Sequence, residues 1–192
     1  MKSAATLFAI LFSITTFQTA LAKSLTAEEK KGIQRTIINN IKIKTKARVL
    51  ENSSIQKTFS AKFYDVTITQ HDIAEGSSSA HNRTLVKQGN KFIYLESPTT
   101  DEPLPKLFSM LNKQFMLKNQ KDAQILEEAL DTIYPISTSF GTEDLDKKAI
   151  RQEGNQWIFI RGGFFDKLMG FVFQTDSGGR IQSVSYSLNI DG

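Results

Sequence analysis

KKAIRQEGNQWIFIRGGFFDKLMGFVFQTDSGGRIQSVSYSLNI, residues 147–190, decides the fold. It divides into four β segments, 147–153, 156–162, 168–174 and 180–190. Their connections are Glu153-Gly154-Asn155, Gly163-Phe164-Phe165-Asp166-Lys167 and Asp176-Ser177-Gly178-Gly179. Each is of hairpin length and carries turn formers, so the segments pair in chain order as an antiparallel meander. In the last segment Ile181 stands on one parity, and Val184, Tyr186, Leu188 and Ile190 on the other. A parity change inside one strand marks a bulge, and bulges curve a sheet.

Upstream of the meander the period changes from two to 3.6. Leu104, Leu107, Phe108, Leu111 and Phe115 follow one another at helical spacing. Asn119 is placed to cap a further helix with Asp122 three residues on. Ala123, Leu126, Leu130 and Ile133 form its apolar stripe, and Pro135 stops it. Residues 98–105 hold three prolines and break the pattern before these helices. Earlier still, Thr26-Ala27-Glu28-Glu29 has the spacing of a capping box. Ile33, Ile37 and Ile41 then predict an amphipathic helix over 27–41. The alternation from Ile41 to Arg48 reads as a frayed helix end or a short first strand, and 51–57 as a polar loop. Residues 58–69 predict a strand that switches face between Phe63 and Tyr64, again read as a bulge or bend. Gly76-Ser77-Ser78-Ser79 predicts a loop, and 82–88 with 91–96 a hairpin about Gly89-Asn90.

Helices set before an antiparallel meander give an α+β class, a curved sheet packed on helices. One domain over 23–192 is expected, with an internal division near 98–105. It would hold an N-terminal helix with three strands, then a helix pair with four.

The N-terminus carries an export pattern. Met1-Lys2 is a short positive start, residues 7–12 are apolar, and Thr19-Ala20-Leu21-Ala22 has the small residues of a signal peptidase site. Cleavage after Ala22 is expected, with the protein in the periplasm or outside the cell. The chain has no cysteine. Small secreted animal domains rely on disulfides, so a bacterial envelope protein stabilised by core burial is the better match. Hydrophobic residues make up 40% and charged residues 23%, which excludes a disordered chain. Residues 23–48 hold eight Lys and Arg against Glu28 and Glu29. Such a stretch suits anionic lipid or nucleic acid, yet a solvated helix face followed by a solvated edge also accounts for it. A nucleic-acid partner is not expected, and membrane contact through this helix is the lesser reading.

The chemistry-bearing residues are few. His71 and His81 are the only histidines, and no set of four metal ligands at zinc spacing exists. No nucleophile elbow or phosphate-binding glycine loop occurs. No cofactor is expected, and the chain reads as a non-enzyme. Asp65, among Phe63, Tyr64 and Val66, is the candidate for a buried carboxylate base; otherwise it points to solvent. Trp157, Phe159 and Arg161 share one parity and suit a ligand site on the concave sheet, with Arg161 at its mouth. Phe164 and Phe165 occupy a hairpin connection, where they either fold back over the sheet end or form an exposed patch.

Residues 104–190, through Gln156-Trp157-Ile158-Phe159-Ile160-Arg161-Gly162 and Gly170-Phe171-Val172-Phe173, resemble secreted bacterial proteins of NTF2/cystatin-like architecture. That group includes ligand-binding modules, isomerase-like enzymes and many uncharacterised periplasmic proteins. The resemblance implies a curved sheet with a pocket and transfers no active-site residue. Three functions are expected in order. The first is a binding module for an apolar ligand or partner segment. The second is an envelope interaction or inhibitor protein, and the third a small enzyme using a buried carboxylate.

Overall fold

In the computed structural model, the structure describes residues 24–37, 43–72, 77–96, 98, 100–135, 148–164 and 167–190. The order is α1 (Ala27–Ile37), β1 (Ile43–Leu50), α2 (Ser53–Thr58), β2 (Lys62–Asp72), β3 (Ser77–Gln88), β4 (Lys91–Leu95), β5 (Glu102–Pro103), α3 (Pro105–Met110), α4 (Gln120–Ile133), β6 (Ala149–Glu153), β7 (Gln156–Phe164), β8 (Lys167–Thr175) and β9 (Ile181–Ile190). Two antiparallel sheets result, β1-β2-β3-β4 and β5-β9-β8-β7-β6. The class is α+β, and the C-terminal meander pairs in chain order as its turns dictate.

Each sheet follows its own helix. α1 precedes β1–β4, with α2 inserted after β1, and α4 precedes β6–β9. The first unit therefore holds four strands, one more than its sequence suggests.

The first sheet is covered on both faces. Ile33 and Ile37 of α1 pack with Val49, Tyr64, Val66, Leu85 and Phe92. Phe63 and Val86 point the other way, into a larger core shared with α2, α3, α4 and the second sheet. This corrects the reading of a bulge at Phe63-Tyr64. β2 keeps unbroken register with β1 and β3 through that point. Ordinary alternation puts Phe63 in one core and Tyr64 in the other, so apolar residues on both parities reflect two covered faces.

In the second sheet, the parity change in β9 is a true irregularity. The register with β8 shifts between Gln174 and Thr175, and again between Leu168 and Gly170. β7 is also bulged against β8, between Ile160 and Gly162. Gly162 sits there at φ 152, open to glycine and strained for other residues. Gly170 is required by close approach, because a Cβ on it would lie 2.0 Å from the Phe159 carbonyl oxygen.

Other boundaries moved for local reasons. The capping box forms, with Thr26 Oγ1 accepting from Glu29 N–H at 3.2 Å and Glu29 Oε2 from Thr26 N–H at 2.9 Å. α1 is described to Ile37, and its expected last turn lies outside the described residues. The polar segment 51–57 contains α2, because Asn52 Oδ1 caps Ile55 N–H at 2.7 Å and Ile55 is buried. The helical spacing from Leu104 to Phe115 supports only α3. Leu111 turns extended and bridges to Phe59, while Asn112 N–H donates to the Thr58 carbonyl at 2.8 Å. β3 begins at Ser77, inside the stretch read as a loop. Phe164 pairs with Lys167, so it belongs to β7 and not to the connection.

α4 sits at the centre of the larger core. Ala123, Leu126, Ala129 and Leu130 are fully buried. Replacing Leu126 with alanine is expected to cost about 2–5 kcal/mol, the range for emptying a packed site. Phe108, 40% exposed on α3, should tolerate alanine at under about 1 kcal/mol. Urea unfolding of both variants checks the contrast.

Candidate functional site

The aromatic residues expected to line a ligand cleft build the core. Trp157 and Phe159 are 2% and 0% exposed and pack with α4. Phe159 meets Phe173 edge-on, with ring centroids 5.2 Å apart. Phe171 makes similar contacts with Tyr134 and Tyr186. The helix-facing side of the meander is filled by side chains of the chain itself. The Phe164 side chain, Phe165, and the His71 and His81 side chains lie outside the described residues.

Arg161 is buried, and its charge is met from inside the molecule. It is the extra residue of the β7 bulge, which turns it toward the end of α4. One guanidinium nitrogen donates to Asp131 Oδ1 and another to the Tyr134 carbonyl at 2.5 Å. The guanidinium also stands over the Phe171 ring, 5.9 Å from its centroid. Tyr134 is the C-cap of α4, so Arg161 closes the negative end of the helix. Lys148 joins Asp131 and approaches Glu127 at 3.5 Å. Burial lowers the Arg161 pKa, and Asp131 and Glu127 oppose that shift. Arg161 is thus a strut between sheet and helix, in place of the expected group at a pocket mouth.

Asp65 is half-buried and accepts from Arg48 Nε at 2.9 Å, its directly opposed partner on β1. Asp65 is thus taken up in a cross-strand ion pair at the sheet surface and does not face an apolar pocket. The second buried charge is Glu29, which sequence reasoning assigned only to capping. Its Oε1 accepts from Lys62 Nζ at 2.6 Å and from the Tyr64 hydroxyl at 2.8 Å. The bond from Lys62 leads in lowering its pKa from 4.5 to about 2, against desolvation. Tyr64 moves upward through burial and the bond to Glu29. Burial likewise raises Tyr134 and Tyr186. Among the described residues no cluster of three or more His, Cys, Asp or Glu is placed to hold a metal ion.

Among the described residues a shallow groove lies open beside α2, where the two units meet. Its larger part, about 740 Å³, is lined by Gln56, Lys57, Asn112, Gln114, Phe115, Met116, Lys118, Asn119, Asp122 and Ile125. A second hollow of about 380 Å³ adjoins it at Gln56, bounded by Leu50, Glu51, Ile55, Phe59, Ser60, Ala61 and Lys62. The segment between α3 and α4 is fixed at both ends. Asn112 bonds to α2, Met116 bridges to Arg180, and Leu117 N–H donates to the Gly179 carbonyl at 2.8 Å. Asn119 Oδ1 then caps α4 through Asp122 N–H at 3.1 Å. Amides and lysines make the walls, while Phe115, Met116 and Ile125 supply apolar surface. Such a volume and mixed lining suit a ligand or a chain segment. Sequence reading missed it because Gln56 and Lys57 lay in a presumed loop and Phe115 in a presumed helix. The usable signal was Asn52 followed by Ile55 and Phe59, a cap and an i, i+4 apolar pair.

No protein-family model, curated protein or solved structure matches the chain.

Two substitutions test these buried charges. Arg161→Met should destabilise the fold by about 2 kcal/mol, below the usual cost of breaking a buried pair because Asp131 keeps Lys148. Glu29 has a depressed folded pKa, so its contribution is complete above pH 4.5 and is lost as pH falls toward about 2. The stability gap between the parent and Glu29→Gln should therefore be widest near neutrality and close through that acid range, as read from unfolding free energies against pH.

Proposed function

We propose that this chain is an exported binding protein that holds an extended segment of an envelope partner in the groove beside α2. One observation carries the reading. The helix-facing side of the second sheet is filled by the chain's own side chains, whereas the groove lined by Gln56, Gln114 and Phe115 is open. In this reading the apolar-ligand version gives way to a partner segment. Gln56 and Gln114 supply hydrogen bonds to an extended backbone, and Phe115 and Met116 supply side-chain contact.

The carboxylate-enzyme reading draws no support from geometry. Asp65 is ion-paired, Glu29 is held well below the usual carboxylate range by its bond from Lys62, and Asp176 is lowered by backbone bonds from Arg180 and Gly178.

A photocrosslinking amino acid placed at Gln114 or Gln56 in living cells should yield one discrete adduct. The same group at Ser183, exposed on β9, should yield none. Phe115→Asp in the Gln114 probe should abolish the adduct while the protein stays folded. Equal labelling at all three positions, or none in the groove, would end the proposal.

A further inference from the structure

The face of the first sheet that carries α1 is strongly basic, and folding does not require it to be. α1 buries Ile33 and Ile37 and turns Lys30, Lys31 and Arg35 to solvent. On β3, Arg83 and Lys87 alternate with buried Leu85 and so lie on the same face of the sheet. Lys87 directly opposes Lys62 across the β2–β3 ladder. Like charges placed so are unfavourable for pairing. Glu29 answers Lys62 alone, and Glu28 is the exposed carboxylate on α1. The opposite charge gathers elsewhere, with Glu127, Glu128 and Asp131 on one helix, α4. On the α1 face, by contrast, Lys30, Lys31 and Arg35 are exposed and Glu28 is the exposed acid of the same helix.

We propose that this α1 face seats on the surface of an anionic phospholipid bilayer. Charge complementarity carries the choice of occupant. Clustered lysine and arginine are drawn to anionic headgroups at about 1 kcal/mol each. The exposed side of α1 is polar, so the contact is electrostatic and peripheral, without insertion. The inference does not depend on the groove, and its test leaves the groove untouched.

The test is sedimentation of the processed protein with vesicles of phosphatidylethanolamine containing about a quarter phosphatidylglycerol. Binding is expected at low salt and should be lost at about 0.5 M salt, where the screening length is a few ångströms. The triple variant Lys30→Glu, Lys31→Glu, Arg35→Glu should keep its unfolding midpoint and bind about 100-fold more weakly or worse. A control pair on other exposed sites, Lys106→Glu with Lys113→Glu, should bind like the parent. Three results overturn the proposal. They are no binding to these vesicles, binding that ignores salt and the triple variant, and capture by a short DNA duplex in preference to the vesicles.

Discussion

The structure depends on α4 being gripped at both ends and along its length. Its apolar stripe packs in one core with the buried residues of the second sheet, and its other flank meets α2. Asn119 supplies the missing partner at the first turn. Arg161, delivered by a bulge in β7, supplies it at the last. A buried guanidinium is tolerable only where acceptors replace water, and Asp131, the Tyr134 carbonyl and the Phe171 face do so together. The bulge, the glycine beside it and the helix end thus form one unit of structure.

α1 is held by the same logic at smaller scale. Glu29 completes its own helix cap with one oxygen and reaches Lys62 and Tyr64 of β2 with the other. A single carboxylate thereby ties local helix initiation to tertiary docking. The first sheet needs this cover because Tyr64, Val66 and Leu85 would otherwise face water.

With no cysteine to staple it, the chain must also guard its sheet edges. The outer strands are β1, β4, β5 and β6. β1 carries Lys44, Lys46 and Arg48, β5 is two residues ending in Pro103, and β4 and β6 have five residues each. Charge, proline and shortness are the devices that deny an edge to another chain.

Much of this was legible in one dimension. Turn residues at hairpin spacing foretold the β6–β9 meander, because a two- to five-residue link leaves antiparallel pairing as the near-certain outcome. Capping residues foretold the starts of α1 and α4, and the odd parity of Ile181 foretold the irregular β9. The chain alone determined element type, strand order within the meander and the lack of any disulfide, since these follow from local backbone preference and composition. Tertiary structure alone decided which face each apolar residue serves. Phe63 and Tyr64 looked like a bulge until two separate cores lay on either side of one regular strand. Trp157, Phe159 and Arg161 looked like a cleft until α4 occupied it. The groove beside α2 was legible only in one wall, through the Asn52 cap and the Ile55–Phe59 pair, because residues 50–62 and 112–125 become neighbours only when the two helix-and-sheet units pack together. Periodicity records that a side chain is buried; only packing specifies against what.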